Sequence, residues 1–360
     1  MSVMKLSMGP QHPVTSHFRF ILDVDGDEVL KFDWDVGYTH RGIEKLAENR
    51  LYLQNIPVVE RINSYCDSIG ATLGYVEVVE ELMSLEIPER AKYLRVIAAE
   101  LNRIASHLYA VSLVGISAGF ETMLMWCIND RELILDLLVK LSGQRITYTY
   151  PTIGGVRWDM PDGFKDEALK RLDYLEKRLE DYYRMLAWNR TFQMRFKDVG
   201  ILKPSDAIKL GIVGPNIRAS GVLADVRKDE PYEVYDRFDF EIPIYKNGDC
   251  FDRASMRLKE IEQSIMILRQ AIKDIPEGPV KIGVPPSAPP GEAYSRIESA
   301  RGEFGYYLVS NGKSKPFRLK ISTPSFRNLP ALPHLCRNIP LGDVPIIFIS
   351  FDFIPLDVDR

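Results

Sequence analysis

No stretch of the chain approaches the roughly 20 consecutive apolar residues that carry a helix across a bilayer, and no apolar segment of the secretory kind stands near its start. It reads as a soluble or peripheral protein. Acids and bases nearly balance, 50 Asp and Glu against 46 Lys and Arg for a net charge of -4, so the broad basic field that holds nucleic acid is missing. Nucleic acid is not an expected partner. Cysteine is scarce: Cys66, Cys127, Cys250 and Cys336 are too widely spaced for the dense disulfide framework of a small secreted domain. A reducing compartment fits better. The sequence contains no G-x-G-x-x-G or Walker-type phosphate loop and no H-x-x-x-H pair, which disfavours a self-contained nucleotide site and a histidine-based catalytic zinc. His40, His107 and His334 stand singly and read as cap or core residues, and Cys127, Cys250 and Cys336 as small buried hydrophobes.

Material for a core is plentiful, at 46% hydrophobic over 360 residues. His17 to Trp34 reads as two strands around Asp25-Gly26, so residues 1–40 form an N-terminal hairpin region that holds the Gly9-to-Pro13 loop at one end. Residues 41–275 are mostly helical in period. The expected helices begin at Arg41, then run over Val58 to Met83, Pro88 to about Leu113, Phe120 to Leu141, Asp162 to about Trp188, and Cys250 to about Asp274. A turn-rich segment, about 200 to 249, is inserted among them. Residues 276–360 comprise a proline-rich loop to Pro290, a second hairpin from Gly305 to Ile321 on Asn311-Gly312, and a tail that closes the active cavity. The fold class is therefore mainly α with small β-sheets.

One stretch points to chemistry. Arg61-Ile62-Asn63-Ser64-Tyr65-Cys66 has the spacing of a C-x-x-C metal loop, but Asn63 occupies the first thiol position and only Cys66 remains. By itself a single cysteine at a helix start names no function.

Several further motifs occur in consistent order: Gly9-Pro10-Gln11-His12-Pro13, His40-Arg41-Gly42-Ile43-Glu44-Lys45, Glu100-Leu101-Asn102-Arg103 with His107-Leu108, Arg218-Ala219-Ser220-Gly221, Gly248-Asp249 with Asp252-Arg253, and Glu298-Ser299-Ala300-Arg301-Gly302-Glu303. Together, and on to Arg360, they resemble the large subunit of nickel-iron hydrogenases and its relative, the 49-kDa-type subunit of respiratory complex I. The resemblance implies a hydrogenase-large-subunit-like bundle of long helices, packed against a small subunit that carries a 4Fe-4S cluster. It also implies other peripheral-arm subunits and antiporter-like and connector membrane subunits that translocate an ion, with this chain at the cytoplasmic face of the membrane.

In the hydrogenase branch, nickel is held by four thiolates from two C-x-x-C motifs. The matching positions here are Asn63, Cys66, Ile354 and Asp357, so three of the four thiolates are gone. The resemblance thus implies a lost nickel-iron centre and no cofactor bound by this chain. The complex I branch binds a quinone with a histidine shortly after Gly-Pro-Gln-His-Pro and a tyrosine three residues after the arginine matching Arg61. This sequence offers Ser16 or His17 for the first and Ser64, beside Tyr65, for the second. Arg61 would lie against the partner's cluster and raise its reduction potential, with Thr147 where an accompanying histidine stands in the family.

Having neither set, the chain most resembles the large catalytic subunit of archaeal membrane-bound sulfane-sulfur reductases. What this implies is an oxidoreductase subunit, active only in its complex, that reduces sulfane sulfur or polysulfide with electrons from the neighbouring cluster. Arg61, Cys66, His17 and Asp357 are then the expected catalytic residues, and Asn63, Ser64, Tyr65, Ser16 and Ile354 the cavity wall. Three alternatives stay open: an NADH:quinone or phenazine oxidoreductase subunit, a non-catalytic scaffold that couples the cluster to the membrane arm, and residual hydrogen activation at nickel.

Overall fold

In the computed structural model, which describes residues 3–360, three antiparallel strands open the chain: Met4–Met8 (β1), Arg19–Asp25 (β2) and Glu28–Asp35 (β3). Alternation places Phe20, Leu22 and Val24 on one buried face. The β2–β3 turn falls one residue later than expected, at Gly26-Asp27, where Gly26 has φ +63°. A two-residue strand, Ile339–Pro340, pairs with the far edge of β3.

The helical region departs from its sequence period at one place. Where a helix is expected from Val58 to Met83, a helical turn over Ile56–Val59 tightens into a 3-10 turn at Glu60–Asn63, and a new helix, Ser68–Met83 (α1), starts after it. Two side chains cause the restart. Asp67 caps α1 by accepting from the Gly70 amide at 3.1 Å, and Asn102, from the next helix, accepts from Ile69 N and donates to Cys66 O, both at 3.0 Å.

Glu89–Ser117 (α2), with Pro88 just before it and an acid at its first position, is 29 residues long. It extends past the expected end near Leu113, and Gly115 in the added turn lets the next helix come close: a Cβ there would collide with Met123. Glu121–Ser142 (α3), Phe164–Met185 (α4) and Cys250–Asp274 (α5) pack with α2 into one apolar core. Among the described residues no helix is long and apolar enough to cross a membrane.

A second sheet joins Gly291–Ser299 (β4), Gly302–Ser310 (β5) and Arg318–Ser322 (β6), all antiparallel. The β5–β6 hairpin is closed by a seven-residue loop, 311–317, that begins with Asn311-Gly312 rather than by a tight Asn-Gly turn, and β4 lies outside the sequence expectation. Polar and charged residues dominate β4, and it is the packing of Ala293 and Ile297 against α1 that makes it a strand. Tyr306 Oη donates to Ala71 O at 2.6 Å and Ser295 Oγ to Gly74 O at 2.8 Å, which fixes α1 on this sheet.

Between α2 and α5 runs a buried ionic seam. Arg218 pairs with Glu260 at 2.7 Å and Glu298 at 2.8 Å, Arg227 with Asp225 at 2.7 Å and Glu260 at 3.1 Å, and Arg103 with Glu100 at 3.1 Å. Beyond it, Val344–Phe351 (α6) leads into the tail. There Asp359 accepts from the Gly37 and Thr39 amides, each at 2.8 Å, and Arg360 Nε donates to Ile321 O at 2.7 Å. The tail thereby ties the N-terminal sheet to the second one.

Candidate functional site

Four segments converge beside α2: the loop after β1, the turn at residues 60–66, the C-terminal half of α2, and the chain from α6 to Pro355. They enclose a cavity of about 260 Å³. From α2 come Tyr109, Leu113, Ile116 and Ser117, whose spacing puts them on one helical face. Tyr65 meets Tyr109 edge to face at 5.8 Å. Phe348, Phe353 and Ile354 close the opposite side, and Ser16, held at φ +53° by a bond from its amide to His12 O at 2.9 Å, contributes from the loop. Gly9 begins that loop because a Cβ at its φ of +90° would strike the Phe18 carbonyl.

The turn carrying Tyr65 is held rigidly. Arg131 donates to Tyr65 O at 2.8 Å and to Ala105 O at 3.1 Å, while Asn102 holds Cys66 O. Asp352 is the carboxylate of the wall and lies at φ +60°, ending α6. It is committed to Arg301, which donates from Nη2 at 3.0 Å to Oδ1 and from Nε at 3.0 Å to the Asp352 carbonyl, and holds Ser106 Oγ with Nη1 at 2.9 Å. Burial pushes the Tyr65 and Tyr109 phenols above their usual range, and the Cys66 thiol up to about 12, against a smaller downward pull from Arg301. The wall is thus aromatic, hydroxyl-bearing and uncharged apart from one neutralised carboxylate.

Of the residues singled out by sequence, Ser16, Tyr65 and Ile354 line this cavity. The others do not. Cys66 is 0% exposed and turned into the protein. Asn63 is equally buried, with neither amide atom bonded, and Ser64 is half-buried outside the wall. Asp357 lies behind Ile354, accepting from Ser325 N at 3.2 Å through Oδ2 while Oδ1 has no partner; burial pushes its carboxyl up to about 6. His17 is exposed, with Nδ1 3.0 Å from Ser16 Oγ, and makes no hydrogen bond to Tyr65.

Arg61 is exposed, and its charge, after burial, helps depress the Arg41 guanidinium. Thr147 sits at φ +56° in a loop fixed to the neighbouring Glu60, whose carboxylate accepts from Thr149 N at 2.7 Å and Thr149 Oγ1 at 2.9 Å. Arg61, Cys66, His17 and Asp357 therefore do not meet around one substrate position. The reason is local: the 3-10 turn ends with Asn63 in the core, and the turn that follows it, 64–66, points Cys66 inward and leaves Tyr65 facing the cavity.

The four positions matching the hydrogenase nickel ligands do not fit that metal. An amide, a protonated thiol, an isoleucine and a carboxyl make no soft thiolate cage. Among the described residues no group of three or more His, Cys, Asp and Glu could hold a metal ion. Sequence reasoning missed Tyr109, Asp352 and Arg301 as parts of the site. Only Tyr109 carried a usable signal, through the 109, 113, 116, 117 face of α2.

This arrangement, a long-helix bundle flanked by small sheets with a cavity at the meeting of N-terminal and C-terminal segments, is that of the large subunits shared by complex I-like assemblies and nickel-iron hydrogenases. The 49 kDa subunit of the respiratory-chain NADH dehydrogenase matches as a family over residues 117–290 and 282–360, and the chain belongs to that family. It is accordingly an oxidoreductase subunit of the complex I 49 kDa type. The D-type NADH-quinone oxidoreductase subunit from Desulforamulus reducens is 46% identical over 357 residues, covering 98% of this chain and 97% of that one. Its counterpart of the same name from Geobacillus kaustophilus is 43% identical over 360 residues, covering 99% and 98%. A chain of the membrane-bound sulfane sulfur reductase, an archaeal respiratory membrane complex, superposes with a TM-score of 0.96 at 36% identity, over 99% of this chain and 98% of that one.

Proposed function

We propose that this chain is the peripheral catalytic subunit of a membrane-bound, complex I-like, ion-translocating oxidoreductase that reduces sulfane sulfur or polysulfide. Electrons come from a 4Fe-4S cluster in an adjacent small subunit, against which Arg61 packs at the cytoplasmic side of the membrane. The observation that carries this reading is the cavity wall, from which the exposed His17 is absent, where the phenols are weakened as acids by burial and the Asp352 carboxylate is committed to Arg301. Reducing a quinone to a quinol takes up two protons, and a positioned donor pair speeds that uptake. Cleaving a sulfur-sulfur bond with two electrons instead releases two sulfur anions, which need no donor in place. The field of Arg301, already felt at Tyr65, Cys66 and Tyr109, is the field such anions would meet. The close structural likeness to the sulfane sulfur reductase chain supports the same substrate class.

The test is turnover by the purified native complex, assayed side by side with polysulfide, quinone and hydrogen. Polysulfide turnover is expected; quinone turnover without it, or stoichiometric nickel with hydrogen activity, refutes the proposal. Quinone reduction is the second reading, favoured by the names of the relatives at 46% and 43% identity and by two phenols in an aromatic cavity. If polysulfide reduction survives both Tyr65→Phe and Ser16→Ala while quinone reduction is undetectable, the second reading fails.

A further inference from the structure

A second hollow, of about 420 Å³, shares no residue with the cavity of Tyr65 and Tyr109. It lies between the C-terminal end of α4, the short helix Arg190–Phe196 and the first turns of α5. Phe251, Ser255 and Lys259 recur every four residues on α5 and so share the face that borders it. Aromatic rings make up much of the wall. Tyr183 and Trp188 stack with centroids 5.9 Å apart and planes at 24°, and Trp188 remains 61% exposed. Phe251 and Tyr245 add two more rings. Ammonium groups sit over two of the four, Lys197 Nζ 4.9 Å from the Phe251 centroid and Lys259 Nζ 5.2 Å from that of Tyr183.

An ammonium carries three donors, and each of these two has one acceptor among the described residues: Gln193 Oε1 at 3.1 Å for Lys197 and Glu262 Oε2 at 2.8 Å for Lys259. Glu262 also accepts from the Tyr183 hydroxyl at 2.7 Å, and the neighbouring Asp252 accepts from Asn247 N at 2.7 Å. Of the two cations, then, Lys259 has a counter-charge and Lys197 has none among the described residues. Ser255, at the base of the hollow, is 1% exposed, and its hydroxyl has no partner. A buried hydroxyl in that state costs stability until an occupant satisfies it.

We propose that this hollow binds a planar aromatic carboxylate of single negative charge. Its ring lies against Trp188 and its neighbouring aromatic side chains, its carboxylate meets Lys197, and a polar edge reaches Ser255 Oγ. The volume is that of small-ligand pockets, as is the combination of aromatic walls with a few converging polar groups. A flat docking face for another subunit would leave the Ser255 hydroxyl unsatisfied at the base, whereas a small molecule reaches it.

The test is calorimetric titration of the purified native complex with naphthoate, with naphthylmethanol as the uncharged ring of the same size. Saturable binding of the carboxylate is expected, about ten-fold or more tighter than that of the alcohol. Lys197→Met should weaken it by about ten-fold and abolish the preference over the alcohol, and Trp188→Ala should weaken both compounds by about ten-fold. Both side chains are exposed, and turnover of the complex should be unchanged in either variant. Absence of saturable binding overturns the site, and so does binding that neither variant alters, which puts the compound elsewhere. A loss confined to Trp188→Ala overturns the anionic class, and one confined to Lys197→Met the aromatic class. A neighbouring subunit's chain seated in the hollow, in an experimental structure of the complex, overturns the small-molecule site altogether.

Discussion

Helix α2 passes through two environments whose chemistry is opposite. Around Glu100 and Arg103 it borders a seam of paired arginines and carboxylates, to which Tyr235 and Ser264 also donate, each at 2.6 Å to Glu100. Two turns further on, Tyr109, Leu113, Ile116 and Ser117 face a cavity with no free charge. The contrast separates holding from reacting. Charge in the seam fixes the scaffold, whereas the cavity presents shape and hydroxyls and leaves the electrons to be supplied from outside the chain.

The contrast breaks first if the seam proves dispensable. Arg227→Met leaves Asp225 and Glu260 short of a partner in the interior, and a loss of about 3–5 kcal/mol of stability is expected. Chemical unfolding of the variant measures it, and turnover per folded complex should stay near wild type.

Asp357 gives the next effect, through pH. Its folded pKa, pushed from 3.8 up to about 6 by burial, lies above its unfolded value, so the folded state binds the proton more tightly. Stability should therefore fall as pH rises from about 4 to about 6, by about 3 kcal/mol, and stay at the lower level above that range. In Asp357→Asn that part of the pH dependence should disappear. A profile unchanged by the substitution would show that the carboxyl is ionised and paired.

Removing the Asn102 clamp is expected to cost about 1–3 kcal/mol in Asn102→Ala, because Ile69 N and Cys66 O lose their partner inside the protein. The smallest change is expected at the cavity. Tyr65→Phe should shift the unfolding midpoint little and leave polysulfide turnover within about two-fold, whereas a general acid for quinone reduction would cost about 10²-fold or more.

The long helices were legible because their apolar residues repeat over many turns, and Asp25-Gly26 and Asn311-Gly312 marked both hairpins. The break at residues 60–67 was not. The helical period continues across it, and the decisive group, Asn102, lies 33 residues beyond the amide it holds. Strand β4 was hidden because its polar residues carry little hydrophobic signal until α1 covers Ala293 and Ile297. At the site, the Arg61-to-Cys66 stretch pointed to the right wall, with Tyr65 in it, but Cys66 faces inward, since which residue faces the cavity depends on how the chain turns over 64–66 after the 3-10 segment. Arg301 and Asp352 come from the β4–β5 turn and the end of α6, 51 residues apart, and no local spacing announces their pairing.

The bonds from Asp359 to Gly37 and Thr39 span 322 and 320 residues. The cavity likewise draws one wall from residues 13–16 and another from residues 348–355. Bringing such distant segments together carries a loop-closure entropy that is repaid only once the helices between them have docked. The pocket should therefore be the last part of the chain to acquire protection from hydrogen exchange during refolding. Until then the helix bundle stands as an open-ended vessel, and a partner subunit can seat against it before its mouth is shut.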